Sequence, residues 1–210
     1  MSAQMGKRER NRGMDEAELV KASQRGDVGA FNRLVLSYQE LVYNICYRML
    51  DDAEAAADVT QDAFLSAFQA LKGFRGGSFK AWLLRIATNG CYDQLRRRKR
   101  QPTAPLDELL GDGENPGTLA DHDPGPEERA LRRELIEHLQ HGLTTLPMEQ
   151  RTAVILSDVH QLSYEEIAQV TGASLGTVKS RLSRGRAHLR DFLLRHGELW
   201  PMQRRHDSVR

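Results

Sequence analysis

Hydroxyl and cationic side chains share one face of a helical pattern close to the C-terminus. At about 100° per residue, the outward arc of residues 175–194 holds Thr177, Lys179, Ser180, Ser183 and Arg184, with Arg181 and Arg186 at its flanks. No acidic residue lies on this arc before Asp191. Phosphates and base edges in the major groove are bound by such donors and cations. The pattern therefore predicts a face that contacts duplex DNA. A solvated basic face on a structural helix is the alternative.

A second stripe combines an amide, an aromatic ring and two arginines. Arg85, Asn89, Tyr92 and Arg96 follow one another at spacings of four, three and four residues, which places them on one side of a helix. Single-stranded DNA is bound by such a set, because the ring stacks on a base, the amide reads an edge and the arginines hold phosphates. Residues 96–100, RRRKR, extend the positive charge. A basic helix end stabilised by the helix dipole remains the alternative.

A third stripe is acidic and polar. Glu54, Asp58, Gln61 and Asp62 recur at helical spacing, opposite an apolar side. Alone, this pattern is typical of a solvated helix face; as a docking surface it requires a basic partner.

Groups for catalysis or metal binding are sparse. His138 and His141 stand three residues apart, but no further cysteine or carboxylate completes a metal site, so a surface pair is expected. The sequence contains no phosphate-binding glycine loop, nucleophile elbow or zinc cysteine set. Cys46 and Cys91 lie within apolar patterns and are expected to pack in the core. We therefore expect no enzyme, no metal and no cofactor.

Helix signals surround the C-terminal stripe. Residues 163–166, SYEE, form a capping box, Gly172 suits the left-handed turn after a helix, and Ser174 can cap the next helix. The inward arc of that next helix holds Val178, Leu182, Gly185, Leu189 and Phe192. Two helices that cross closely after such a turn form a helix-turn-helix.

The N-terminal half is also predicted to be helical. Apolar stripes run from Phe31 to Met49, from Val59 to Leu71 and from Leu84 to Leu95. A glycine-bearing loop, FRGGS, occupies residues 74–78. No stretch alternates with period two over the length of a strand. The fold class is therefore all-α.

Charge and composition divide the 210 residues. Residues 72–100 carry a net charge of +8, whereas residues 101–128 carry −8 and residues 102–128 contain five of the seven prolines. We predict two small helical domains, 15–100 and 129–196, joined by a flexible acidic linker at 101–128, with tails at 1–14 and 197–210. The apolar runs fall far short of the ~18–20 residues that span a bilayer, so no membrane insertion is expected. The N-terminus lacks the pattern of a secretory signal, and two distant cysteines favour a reducing compartment.

The motifs together resemble a known family. Residues 58–64 read DVTQDAF, residues 82–89 read WLLRIATN, residues 162–168 read LSYEEIA and residues 176–182 read GTVKSRL. In this order, with the FRG loop and the acidic linker, they resemble the extracytoplasmic-function (ECF, group 4) sigma factors of bacterial RNA polymerase. The resemblance covers about residues 15–195. Gly77 and Ser183 depart from residues common in the family.

The resemblance implies roles for these positions. Asp58, Gln61, Asp62 and Phe64 would dock on the clamp helices of the polymerase's largest subunit, and the C-terminal domain would meet the flap region. The loop residues Phe74, Arg75, Gly76, Ser78, Phe79 and Lys80 would capture a flipped base of the −10 element, with Asn89 contacting a base. The face around Arg184 would enter the major groove of the −35 element. Core RNA polymerase, promoter DNA and an anti-sigma factor are the implied partners, in the bacterial cytoplasm at the nucleoid.

An autonomous helix-turn-helix regulator is the alternative function. Such a protein would bind duplex DNA without polymerase, and its N-terminal half would sense or dimerise. The acidic stripe beside the Arg–Asn–Tyr–Arg stripe favours the polymerase factor, because a sensor domain has no need of that pairing.

Overall fold

The computed structural model describes residues 15–100 and 125–195. In the first range lie α1 (Glu16–Gln24), α2 (Val28–Leu50), α3 (Ala53–Ala70), a 3₁₀ turn (Leu71–Gly73) and α4 (Phe79–Arg100). In the second lie α5 (Pro126–Thr144), α6 (Met148–Val154), a π-helical turn (Ile155–Val159), α7 (Tyr164–Thr171) and α8 (Leu175–Arg195). Across these two ranges there is no β-strand, in agreement with the predicted all-α class.

Side-chain caps start the helices of the first half. The Asp27 carboxylate accepts a hydrogen bond from Ala30 N at 3.0 Å and the Asp52 carboxylate one from Ala55 N at 2.8 Å. Ser78 Oγ does the same for Ala81 N at 3.1 Å. Each cap satisfies a backbone donor that a helix N-terminus leaves without a partner. Asp51 directly follows α2 in the left-handed conformation, and Asp52 already caps α3, so the two helices meet in a tight corner.

The core of the first half is built from three long helices. The apolar stripes of α2, α3 and α4 face one another and bury Ile45, Ala56 and Leu84 completely. The same core contains Cys46 and Cys91, both buried and free, as expected for packing residues. Gly90 brings α4 against α3: a Cβ at that position would lie 3.0 Å from Val59 Cγ1. The arrangement leaves one face of α3 and one stripe of α4 toward the surface.

The second half is a helix-turn-helix supported by two further helices. The predicted capping box is present: Ser163 Oγ accepts from Glu166 N at 3.2 Å and Glu166 Oε2 accepts from Ser163 N at 2.8 Å. Gly172 ends α7 with φ of 67°, and Ser174 Oγ accepts from Thr177 N at 3.2 Å to begin α8. The inward arc of α8 is buried as predicted, with Val178, Leu182, Gly185 and Phe192 buried and Leu189 partly buried, and the helix packs on α6.

The two halves also pack against each other. Helix α7 lies on α4 and helix α5 on α2, so that one continuous apolar core includes residues of both halves. Arg151 Nη1 donates to the carbonyl of Met49 at 2.7 Å, and Gln140 Nε2 donates to that of Arg48 at 3.3 Å. Both bonds satisfy carbonyl groups at the C-terminal end of α2, where helical partners run out.

Several predictions of organisation lie partly outside the described residues. These are both tails and most of the acidic linker. Helix α5 begins at Pro126, three residues before the predicted start of the second domain. Helix α1 was not predicted from the sequence.

Candidate nucleic-acid interface

The predicted recognition face lies along the outer side of α8. Lys179, Ser180, Ser183 and Arg184 are exposed, whereas Thr177 and Arg181 are partly buried. Thr177 and Ser180 use their hydroxyl groups locally: the Thr177 hydroxyl lies 2.9 Å from Ser174 Oγ, and Ser180 Oγ donates to the Thr177 carbonyl at 2.9 Å. Within the described residues, Lys179, Ser183 and Arg184 make no side-chain hydrogen bond or ion pair. These three side chains are available to a ligand.

Arg186, predicted to contact DNA, is held by an acidic neighbour. Its Nε donates to Asp158 Oδ2 at 2.9 Å and its Nη2 to Ser157 Oγ at 3.3 Å. The hydrogen bonds to Asp158 raise the pKa of Arg186. Because Asp158 neutralises its charge, Arg186 offers less attraction to a phosphate than an unpaired arginine.

A groove of about 480 Å³ lies between α7 and α8 beside this pair. Its lining is basic and hydroxylated, and consists of Tyr164, Lys179, Leu182, Ser183, Arg186, Ala187 and Arg190. Sequence reasoning missed Tyr164, Asp158 and Arg190. Arg190 projects one turn beyond Arg186, so extending the helical projection would have found it, whereas Asp158 lies in the π-helical turn and gives no local signal.

The stripe on α4 is only partly open. Arg85, Asn89 and Arg96 are exposed, and Arg96 pairs with Asp93 at 3.6 Å. Tyr92 is partly buried, and its hydroxyl donates to Thr152 Oγ1 in α6 at 3.0 Å. Burial raises the pKa of the Tyr92 phenol. Of the basic run that follows, Arg98 bonds to Asp52 at 2.5 Å and supports the corner between α2 and α3.

The loop before α4 is held in place by Gln24 of α1, and its other side is exposed to solvent. Gln24 Nε2 donates to the carbonyls of Phe74 and Leu71 at 2.7 and 3.1 Å. Gly76 and Gly77 have φ values of 101° and 90°, a conformation that side chains rarely adopt. Arg75, Gly76 and Ser78 are exposed, as is Gly77. Lys80 is partly buried and pairs with Glu166 of α7 at 3.6 Å.

Two predicted contact residues lie inside the fold. Phe79 is 1% exposed and packs against Phe74 and Trp82 at ring distances of 6.1 and 5.8 Å. Phe64 is 8% exposed and belongs to the core between the helices. The ring of Phe79 is therefore not exposed for contact with a base, and the ring of Phe64 is not exposed for docking on a partner. Both support their surfaces from within, because their helix positions point toward the core.

The acidic stripe is exposed along α3. The side chains of Glu54, Asp58, Gln61 and Asp62 face solvent. Two exposed apolar residues continue the same face by one and two turns. Leu65, which was not predicted, is 52% exposed, and Phe68, predicted as part of the apolar stripe from Val59 to Leu71, is 42% exposed. Phe68 also contacts Phe31 at a ring distance of 4.9 Å. The helical projection places both residues on the acidic side of α3, so extending the acidic stripe would have identified Leu65.

Residues 15–100 and 125–195 contain neither a metal site nor a membrane-spanning helix. No group of three or more histidine, cysteine, aspartate or glutamate side chains there is arranged to hold a metal ion. None of the described helices combines the length and hydropathy that crossing a membrane requires.

Comparison with known families matches both halves of the chain. Residues 34–101 match Sigma-70 region 2, and residues 136–189 match Sigma-70 region 4. The chain is 36% identical over 170 residues to the ECF RNA polymerase sigma-E factor of Escherichia coli, covering 80% of this chain and 88% of that protein. The chain belongs to the ECF sigma factors of bacterial RNA polymerase.

Further relatives agree with this sigma factor assignment. The chain is 42% identical over 174 residues to the RNA polymerase sigma-H factor of Pseudomonas aeruginosa, covering 81% of this chain and 90% of that protein. With the ECF RNA polymerase sigma factor SigE of Mycolicibacterium smegmatis the identity is 38% over 167 residues, covering 80% of this chain and 63% of that protein.

Solved structures share the fold of this sigma factor. CnrH in complex with the cytosolic domain of CnrY has a TM-score of 0.63 at 27% identity, covering 83% of this chain and 94% of that chain. The sigma factor RpoE in complex with the anti-sigma factor NepR from Bartonella quintana has a TM-score of 0.62 at 26% identity, covering 79% and 98%. The resemblance seen in the sequence is thus confirmed, and the protein is a sigma factor that directs transcription.

Proposed function

We propose that this sigma factor reads the −35 element as duplex through α8 and the −10 element as melted single strand through α4 and the loop before it. The observation that carries the proposal is the presence of two separate donor-rich faces, one in each half. The part of the α8 face that holds Lys179, Ser183 and Arg184 carries no acidic side chain. It follows a capped turn, which is the geometry that places a helix in the major groove.

The proposed −10 surface combines an amide that can contact a base with arginines that can bind phosphates. Asn89 is exposed between Arg85 and Arg96 on α4, so its amide can bond to a base edge while the arginines meet phosphates. The loop at residues 75–78 lies at the start of the same helix and is exposed, with two glycines in left-handed conformations. A backbone without side chains at Gly76 and Gly77 leaves room for a flipped base. Binding unpaired DNA better than paired DNA then drives promoter opening.

The exposed face of α3 is the proposed docking surface for the clamp helices of core RNA polymerase. Its carboxylates at Glu54, Asp58 and Asp62 suit a basic partner, and Leu65 and Phe68 add apolar area beside them. The C-terminal half meets the flap region, while the acidic residues 101–128 follow a basic channel toward the active centre. The sigma factor itself supplies no catalytic group, and phosphodiester chemistry belongs to the polymerase.

An anti-sigma factor is a proposed further partner. The sigma factor itself is proposed to act in the bacterial cytoplasm at the nucleoid. The support for an anti-sigma partner is that a solved relative, RpoE, is held by the anti-sigma factor NepR. Such a partner would cover the docking and DNA-binding faces until a signal releases it.

The first test is co-elution with bacterial core polymerase on size-exclusion chromatography. We expect a stoichiometric complex, followed by promoter selection on that holoenzyme. A chain that stays free of polymerase yet shifts duplex DNA alone would contradict the proposal and favour the autonomous regulator.

The second test separates melting from closed-complex binding. Asn89→Ala should reduce open-complex formation, measured by permanganate reactivity of unpaired thymines, more than it reduces closed-complex affinity. Asn32→Ala is the matched control, because Asn32 is also an exposed helical asparagine but lies on α2. Equal loss in both complexes would refute the role of Asn89 on melted DNA.

A further inference from the structure

Asp158 lies in the π-helical turn that follows α6, and its carboxylate contacts α8. The turn is anchored in the core, because Ile155 and Leu156 are fully buried. It closes with a hydrogen bond from His160 N to the Ile155 carbonyl at 3.2 Å, across five residues. Since an α-helical bond spans four residues, the turn is one residue wider, a feature that is frequent at functional sites. In this conformation the Asp158 carboxylate meets Arg186, which lies 28 residues later in the chain.

The contact fills the edge of the guanidinium that a phosphate would use. Arg186 Nε donates to Asp158 Oδ2 at 2.9 Å, and Nη2 donates to Oδ1 at 2.5 Å. Nη2 also donates to Ser157 Oγ at 3.3 Å. A guanidinium holds a phosphate through two parallel N–H bonds, and both edges that offer such a pair include Nη2. Because both hydrogens of Nη2 are already donated, Arg186 cannot hold a phosphate in this way while it is paired.

Arg186 differs in this respect from the other cations on the outer side of α8. Lys179 and Arg184 make no side-chain hydrogen bond or ion pair within the described residues. Arg190 contacts the adjacent Asp191 through one nitrogen, at 3.4 Å. Among these four cations, only Arg186 is held by two bonds to a carboxylate of another element. The pairing therefore belongs to this one position and not to the basic face as a whole.

The pair lies at the surface of the second half. The side chain of Arg186 is 48% exposed and that of Asp158 is 36% exposed. Ion pairs at such exposure contribute little to the free energy of unfolding. The pair also borders the groove between α7 and α8, whose lining includes Tyr164 and Ser183. A surface pair beside the proposed DNA face points to an effect on binding and not on folding.

Contacts between α8 and DNA phosphates raise affinity without adding sequence information. Each phosphate that a cation neutralises also steepens the salt dependence, by about 0.9 in the slope of log affinity against log salt concentration. A genome offers about 10⁶–10⁹ non-specific sites, and a chain bound to one of them is not available to polymerase. A low sequence-independent affinity therefore suits a factor that acts on DNA together with polymerase.

We propose that Asp158 is a positioning residue, which keeps Arg186 off the DNA phosphates and so limits the sequence-independent binding of α8 to duplex DNA. The inference rests on the proposed function of α8. Asp158 contacts no nucleotide: its carboxylate and a phosphate are two anions that compete for the same edge of one guanidinium. Arg186 joins the DNA contacts of α8 only when the carboxylate is removed.

Asp158→Asn tests this competition, because it removes the charge and keeps the size of the side chain. The readout is the anisotropy of a labelled, sequence-randomised duplex of about twenty base pairs, titrated with the full-length chain at about 50 to 200 mM salt. We expect tighter binding than wild type at the low end, and a salt slope steeper by about 0.9. The advantage over wild type should then shrink about 3.5-fold across this range. Equal slopes would refute the inference.

Two further variants show whether Asp158 acts through Arg186. In an Arg186→Gln background, Asp158→Asn should leave the salt slope unchanged, since no guanidinium remains to be released. A steeper slope in that background would mean that the Asp158 charge repels DNA directly, and the positioning role would be wrong. Asp158→Glu keeps the charge and should retain the wild-type slope. Glu134→Gln, at an exposed site on α5, removes one negative charge elsewhere and should also retain it.

Thermal melts and one more variant separate this inference from the proposed function. Asp158→Asn should melt within about 4 °C of wild type, because the pair is exposed, and a larger loss would assign the pair to folding instead. Lys179→Ala removes a cation without a partner and should weaken duplex binding. If it does so while Asp158→Asn leaves the slope unchanged, α8 binds DNA and only the role of Asp158 is wrong. If neither substitution changes binding, α8 is not the DNA-contacting helix, and the proposed function fails as well.

Discussion

Gly185 lies where α8, the proposed recognition helix, crosses α6, and adding one methyl group there should displace the helix. A Cβ at this position would lie 2.8 Å from Val154 Cγ2 and 3.3 Å from the Gln150 carbonyl oxygen. Val154 is 2% exposed and its β-branched side chain has little rotamer freedom. The clash in Gly185→Ala therefore has to be relieved by movement of the helices.

Gly176→Ala provides the matched comparison on the same helix. The nearest atom to a Cβ there is Ser174 Oγ at 3.9 Å, so the methyl group meets no obstacle. Both substitutions gain up to about 1 kcal/mol of helix propensity, whereas only Gly185→Ala adds overpacking of about 1–3 kcal/mol. The difference between the two variants in the free energy of unfolding should therefore be about 1–3 kcal/mol.

Thermal melts followed by far-UV circular dichroism measure this difference. One core joins the two halves, so the scale for a folded unit of 150–250 residues applies, about 2–4 °C per kcal/mol. Gly185→Ala should therefore melt at least about 2 °C below Gly176→Ala. It should also lose −35 duplex affinity, because α8 is displaced from its support. If Gly185→Ala melts at or above the temperature of Gly176→Ala, the close crossing of α6 and α8 is not as described.

Three further predictions concern the functional faces and pH. Arg184→Ala should weaken −35 binding about 5- to 150-fold without loss of thermal stability, since Arg184 has no partner among the described residues; loss of polymerase affinity would contradict its assignment. Asp62→Arg should weaken polymerase binding, whereas Glu18→Arg on α1 should not, and equal affinities would remove the docking assignment. Burial, with the nearby charges of Arg48 and Lys80, lowers the pKa of His160 to about 4. The contribution of neutral His160 to stability is therefore complete above pH 6.5. As the pH falls from 6.5 toward 4, the unfolded chain binds a proton that the folded chain does not, and this contribution is lost. At pH 5.5 the folding equilibrium constant should be lower by about tenfold. His160→Gln should flatten that pH dependence in urea titrations, and an unchanged profile would refute the role.

Local signals predicted the features that depend on a few neighbouring residues. The capping box at Ser163, the left-handed Gly172 and the N-cap at Ser174 are each decided within about four residues, and all three are present. The inward arc of α8 follows from helical periodicity. By contrast, α1 spans only nine residues and buries just two apolar side chains, Leu19 and Val20, so periodicity gave no signal.

The remainder depends on contacts between distant segments. Tyr92 meets Thr152 across 60 residues and Arg151 meets Met49 across 102 residues, and no local pattern reports such pairs. The same holds for Arg186, whose charge is neutralised from a turn 28 residues earlier. For this reason the residue types of the candidate faces were predictable, whereas their availability in the folded chain was not.

The exposed face of α3, the proposed docking surface, is part acidic and part apolar, and this has a consequence for the kinetics of holoenzyme assembly. Carboxylates at Glu54, Asp58 and Asp62 attract a basic partner over distance and so raise the association rate, an effect that salt screens. Leu65 and Phe68 act only after contact and so govern dissociation. Ionic strength should thus control how often this sigma factor meets polymerase, while the apolar end of the helix controls how long it stays.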